Sequence, residues 1–185
     1  MNKSALISLL FFTIVSLTGY SQVTYFTFGG DVALPLSSDF KEEAGYGYGG
    51  SIGIESFNND HVVLRATAGY LSFQGKRAHL DEYEYEYDAR ASMLPIQIGL
   101  KYYPKVIRKF PKGFFISGET GIMFMYKTLN FDDGTLYKDL YTDLIISTGI
   151  GYQLGKFESD LRFVFEPREA IYHLNFRLSY SIIKI

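Results

Sequence analysis

Ionisable side chains of both signs recur along this chain on the less apolar parity of segments that alternate every second residue. They are Asp31, Glu55, Glu119, Asp143 and Glu166 against Arg65, Lys101, Lys127, Arg162 and Arg177. If those segments are strands of a small closed barrel, the charges face a lumen with room only for side chains, so they must pair with one another or be very costly. The chemistry they offer is electrostatic. An ion-pair network across a dry lumen fixes strand register and blocks a continuous water path, which makes it a structural plug. Its alternative use is a gate, in which Glu119 or Asp143 exchanges partners among Arg65, Lys101, Arg162 and Arg177 to open a narrow conduit.

A second constellation is the low-complexity tract Asp81-Glu82-Tyr83-Glu84-Tyr85-Glu86-Tyr87-Asp88. As a strand it puts tyrosines on one side and acids on the other, like a stem projecting beyond the barrel. Carboxylates beside aromatic faces suit divalent cations, basic protein surfaces or sugars, although a solvated strand extension carrying interfacial tyrosines accounts for the same composition. No calcium-loop spacing accompanies the tract, and neither a metal nor a cofactor is expected. Catalysis is not expected either. Of the histidines, His61 follows a short turn, His79 lies in a long loop, and His173 is followed by Leu174 and Asn175, without the His-x-Ser pair of barrel deacylases, although Glu166 could orient it. The absence of Cys excludes disulfides, thiolate metal sites and Cys nucleophiles. Gly45–Gly53 is glycine-rich but lies inside a strand pattern, where barrel curvature explains it better than a phosphate loop does. With 18 Lys plus Arg against 20 Asp plus Glu, there is no global basic field to attract nucleic acid.

The elements that must carry these residues are strands. In 185 residues, aromatic content reaches 17% from 16 Tyr and 16 Phe, with 18 Gly, a mixture that favours strands and close backbone packing over helices. Period-two alternation is clearest at Leu94–Tyr103, Phe114–Lys127, Leu144–Leu154 and Leu174–Ile182, with weaker copies at Thr24–Leu34, Tyr46–Ser56, Val62–Phe73 and Leu161–Glu166. These make eight strands of roughly ten residues, the span a tilted strand needs to cross a bilayer. Ser37–Ala44, Gly75–Ala91, Leu129–Asp139 and Pro167–Ile171 then connect strands at one end. At the other end the connections are Phe57–Asp60, Tyr103–Lys112 and Gly155–Ser159, short or rich in Lys, Arg and Pro. Ahead of the strands, Lys3 and the apolar run Ala5–Leu17 read as an export signal with cleavage after Ser21, leaving a mature domain of residues 22–185 and moving the formal charge from −2 to −3.

A soluble lipocalin-like barrel also alternates, with its apolar parity turned inward. Three features favour the reverse. The less apolar parity is rich in Gly and Ser, which suits a crowded lumen. Aromatics on the apolar parity favour strand ends (Tyr46, Tyr48, Tyr102, Phe114, Tyr126, Tyr152, Tyr180) with Ile and Leu between them, like girdles flanking an apolar band. The inner-parity charges come in both signs. The signal ending at Ser21-Gln22, the Gly-rich opening hairpin, the segment Leu94–Tyr103 and the strand Phe114–Tyr126 together resemble the small outer-membrane β-barrel family common in Bacteroidetes, the PorT-like and OmpX-like group. That resemblance implies eight antiparallel strands in the outer membrane and, for most members, no established activity. The chain departs from it at the C-terminus, Ile182-Ile183-Lys184-Ile185, where such barrels finish on an aromatic.

The expected fold is therefore all-β, an eight-stranded antiparallel up-and-down transmembrane barrel with a filled polar lumen. The expected partners are outer-membrane lipid and an extracellular or envelope protein met through the loops, in a role of adhesion, envelope integrity or support of a larger machine. The competing expectations are a small-molecule carrier and a narrow channel.

Overall fold

The computed structural model describes residues 23–57, 61–80, 85–105, 112–132 and 134–184. Residues 1–22, read above as an export signal, residues 58–60, the basic residues 106–111 and the terminal Ile185 lie outside them. The elements are β1 (Val23–Pro35), α1 (Ser38–Glu43), β2 (Ala44–Phe57), β3 (Val62–Gly75), β4 (Arg77–Leu80), β5 (Tyr85–Tyr102), β6 (Lys112–Phe131), β7 (Leu136–Leu154), β8 (Phe157–Glu166) and β9 (Ile171–Lys184). Eight strands close in the order β3-β2-β1-β9-β8-β7-β6-β5, with β5 returning to β3, and every pairing is antiparallel. Short β4 adds to the outer end of β5. Among the described residues every barrel strand is paired on both sides through the middle of the ring, as a stable eight-stranded sheet with one apolar face requires.

The alternation seen in the sequence sets the faces. Outward stand Phe28, Tyr48, Ile52, Leu100, Phe114, Ile150 and Leu178, all exposed. Inward stand residues of the other parity, among them Ser51, Gln97, Lys101, Ser117 and Ser179, all buried. The strand ends differ from expectation. Most of Gly75–Ala91 and Leu129–Asp139, read as loops, is strand: Tyr87 pairs with Phe131 and Asn130 with Leu136, so β5, β6 and β7 run on past the apolar band. The β7–β8 connection shrinks to a two-residue turn at Gly155-Lys156, where Gly155 takes φ 62°, the left-handed conformation that hairpin turns of this length need. β8 thus begins at Phe157 rather than Leu161.

The lumen is solid and layered. At the end where β1 begins and β9 finishes, Val63, Tyr103 and Phe115 form a small apolar cluster, with the Tyr103 hydroxyl donating to Gln153 Oε1. The middle is charged. Towards the far end, Leu71, Phe73, Met93, Met123, Met125, Ile145 and Val164 form an apolar layer, and α1 lies over it with Phe40 packed edge-on to Phe73 at 4.9 Å. The filled polar lumen expected from the sequence has its charges in a middle layer, with an apolar cluster to either side. Small residues make room for this filling. A methyl group added at Gly149 would lie 2.6 Å from Arg162 Cγ and 2.7 Å from the Leu161 carbonyl oxygen. Gly149→Ala is expected to cost about 1–3 kcal/mol by overpacking, read as a fall in the urea midpoint at unchanged slope.

Candidate functional site: the lumen network and the far-end sheet

Arg65 sits at the hub of the middle layer because β3 places it opposite Glu55 of β2, and closure of the barrel then brings β6 and β8 across to it. Its guanidinium lies 3.6 Å from Glu55, 3.4 Å from Glu119, 3.3 Å from Glu158 and 3.3 Å from Asp160. The Lys101 ammonium donates to both Glu55 and Glu158 and stands 4.9 Å over the Phe115 ring. On the other side, Arg162 reaches Glu119 at 3.2 Å, Asp31 at 3.3 Å and Asp160 at 3.5 Å. Arg177, opposite Asp31 in the β1–β9 ladder, donates to it at 2.8 Å, and Ser51 completes Asp31 at 2.7 Å. Lys101 is 0%, Arg162 1% and Arg65 2% exposed, so these charges are solvated by one another and by the hydroxyls of Ser51 and Thr67. The network spans seven strands and ties together residues far apart in sequence.

Seven of the charges singled out in the sequence meet here: Asp31, Glu55, Arg65, Lys101, Glu119, Arg162 and Arg177. Three do not. Lys127 lies near the far mouth and pairs with Glu43 of α1. Asp143 and Glu166 face the lumen above the network; among the described residues neither meets a cation there, and they approach each other instead. Parity assigned these three to the right face but said nothing of their height along the barrel axis. Glu158 and Asp160 join the network as well, because β8 starts at Phe157 and not after a connection through Ser159. The alternation Phe157, Ser159, Leu161 against Glu158, Asp160, Arg162 carried the signal.

Among the described residues the network occupies the middle of the lumen. Between it and the apolar layer, Gln97, Met123, Arg162, His173, Asn175 and Arg177 line a cavity of about 10 Å³, the space of a single water. The exchange of partners proposed for a gate is also narrower than expected, since Glu119 touches Arg65 and Arg162 but neither Lys101 nor Arg177 within 4.0 Å. His61 is engaged with the Tyr103 carbonyl at 2.8 Å, and His173 is buried against Phe73. Among the described residues, no three His, Cys, Asp or Glu side chains are grouped to hold a metal ion.

At the far end the acidic tyrosine tract divides. Asp81, Glu82, Tyr83 and Glu84 lie outside the described residues, and Tyr85 and Glu86 belong to β5. Tyr87 is buried on the inner parity, donates to Glu43 Oε1 at 3.2 Å and packs on Phe131 at 5.4 Å. Burial, with Glu43 beside it, holds the Tyr87 phenol above its ordinary pKa. Asp88 is exposed on the outward parity opposite Arg77. Here β5, β6 and β7 form a sheet standing beyond the barrel rim. β7 pairs with β8 only from Ile146 onward, so Leu136–Ile145 presents one side of its backbone without a neighbouring strand among the described residues. Leu136, Tyr137 and Leu140 are exposed along this edge.

No protein-family model matches the sequence, and no curated protein does. Solved structures do resemble the fold. Ail, the attachment invasion locus protein of Yersinia pestis, aligns over 86% of this chain and 96% of its own at 10% identity and a TM-score of 0.57. The same protein in complex with the heparin analogue sucrose octasulfate, again at 10% identity and over 86% and 96% of the two chains, gives 0.55. The N-terminal β-barrel domain of Pseudomonas aeruginosa OprF aligns over 85% of this chain and 97% of its own at 13% identity and a TM-score of 0.50. The chain has the fold of these small outer-membrane barrels: eight antiparallel strands, closed, with up-and-down connections.

Proposed function

We propose that this chain is exported to an outer membrane, spans it as a sealed barrel, and works at its external end as an interaction protein. The observation that carries the membrane reading is the inversion of polarity: Ile, Leu and aromatic side chains cover the outside while charges are paired within. In water that outer surface would be a contiguous apolar patch far larger than monomeric soluble proteins expose, which weighs against a soluble carrier with an inward apolar face. The filled lumen weighs against a channel. What remains for recognition is the sheet beyond the rim, where the open β7 edge offers backbone N–H and C=O groups to an added strand. The attachment role in the name of Ail and its complex with a heparin analogue support a reading in which the external end binds, and the resemblance to PorT-like and OmpX-like barrels points to the same membrane.

Fractionation of expressing cells tests the location. The chain is expected in the outer membrane and to migrate differently on a denaturing gel with and without boiling, because a closed barrel resists detergent until heated. A soluble periplasmic product without a shift would sink the membrane reading. The interaction role is tested by replacing residues 129–139 with a short turn, which is expected to abolish attachment of expressing cells to a host-cell or matrix surface while the heat shift persists. Attachment unchanged by the trimmed hairpin would remove the external sheet from consideration.

A further inference from the structure

On the outward face, just past the apolar band, three strands bring a basic row together. Arg90 of β5 is opposite Thr128 of β6, and Thr128 is opposite Lys138 of β7. The adjacent row towards the barrel middle is Ser92, Tyr126 and Leu140, with the Tyr70 hydroxyl donating to Ser92 at 3.1 Å. The next is Leu94, Phe124 and Thr142. The charges therefore stand immediately beyond a row carrying tyrosine, with Leu136 exposed one row further out on β7.

Arg90 and Lys138 are exposed, and among the described residues neither meets a carboxylate within 4.0 Å. The nearby outward acids are otherwise placed: Asp132 is bound by Arg77 at 2.9 Å, and Asp88 lies opposite Arg77 in the ladder. Two strand spacings separate Arg90 from Lys138, about 10 Å at the backbone, which two long side chains can close. A guanidinium binds phosphate oxygens in a fork, an ammonium adds a point charge, and the Thr128 hydroxyl between them can donate a third bond.

We propose that Arg90, Thr128 and Lys138 bind the phosphate of a saccharide lipid headgroup in the outer leaflet. The inference rests on the membrane reading, since only there does this row meet the headgroup layer while Tyr70 and Tyr126 sit at its lower boundary. Charge complementarity and the position of the row select the occupant. A free anion would need no such alignment with the apolar band.

The full-length chain, folded in detergent, is heated while the loss of its compact gel band is timed in the presence of bisphosphorylated lipid A, fully dephosphorylated lipid A, or inorganic phosphate. Bisphosphorylated lipid A at ten times its Kd is expected to slow the loss about tenfold. The dephosphorylated lipid and inorganic phosphate are expected to leave the rate unchanged within about twofold. In the double variant Arg90→Ala with Lys138→Ala, the response to the phosphorylated lipid disappears while the lipid-free rate stays that of wild type. Equal protection by the dephosphorylated lipid or by inorganic phosphate, or a full response in the double variant, would overturn the assignment. A compact band that gains nothing from any lipid overturns this inference alone. Absence of a compact band in the wild type overturns the membrane reading with it.

Discussion

Arg65→Ala is expected to be among the most damaging single changes in the barrel, costing about 3–5 kcal/mol, because truncating one partner of a buried ion pair leaves the others uncompensated. The four carboxylates around it, Glu55, Glu119, Glu158 and Asp160, stand within 3.3–3.6 Å of the lost guanidinium and are buried with it. Lys101 and Arg162 still reach some of them, which keeps the loss finite. The measurement is the urea midpoint of the compact gel band after refolding into lipid vesicles. Adding Glu119→Gln to Arg65→Ala should restore part of the loss, since it removes one of the orphaned charges, and the cycle of single and double variants reports the coupling. Arg65→Lys keeps the charge but gives up the fork that serves several carboxylates at once, and should fall between. A cost below about 1 kcal/mol for Arg65→Ala would mean that water enters the middle layer, contrary to a sealed lumen.

Ile146→Arg should cost about 2–4 kcal/mol if the outer surface faces lipid, the penalty for a cation near the midplane of a transmembrane barrel. Ile146 is 44% exposed and stands on β7 midway between outward Tyr152 near one rim and Leu140 near the other. On a water-facing surface the same change would fall within about ±0.5 kcal/mol, so the two readings differ in size rather than in nuance. Thr142→Arg, four residues nearer the external rim, should cost about 1 kcal/mol or less because the penalty falls towards the interface. Equal small costs at both positions would reject a bilayer around the barrel.

Much of this architecture is legible before any coordinates. Wherever Ile, Leu, Tyr and Phe alternate with Gly, Ser and charge, as in Leu94–Tyr103 and Phe114–Lys127, the assigned faces match those of the folded chain. A strand has a side-chain period of two, so the parity of one residue determines that of its neighbours. Strand length is less legible. Residues 85–91, 129–131 and 136–139 carry polar and aromatic side chains without a sustained apolar alternation, and they extend as strands because β5, β6 and β7 continue to hydrogen-bond one another, a property of the pair rather than of either segment. Glu158 and Asp160 fall beside a turn whose length the sequence leaves open, and Gly155 in the left-handed conformation lets the chain reverse in two residues.

The residues themselves determined that this chain would form a barrel of eight antiparallel strands with an apolar outside and charges within, because alternation is local and each strand carries it in full. Only the closed barrel decided who meets whom. Arg65 finds Asp160 across 95 positions, and Arg162 finds Asp31 across 131. Parity names a face; it does not give the height along the axis that separates Lys127, Asp143 and Glu166 from the network. Nor does it give the angle at which opposite walls face each other. Those follow from strand tilt and the stagger of the ladder around the whole ring, which exist only once β3 and β5 have joined.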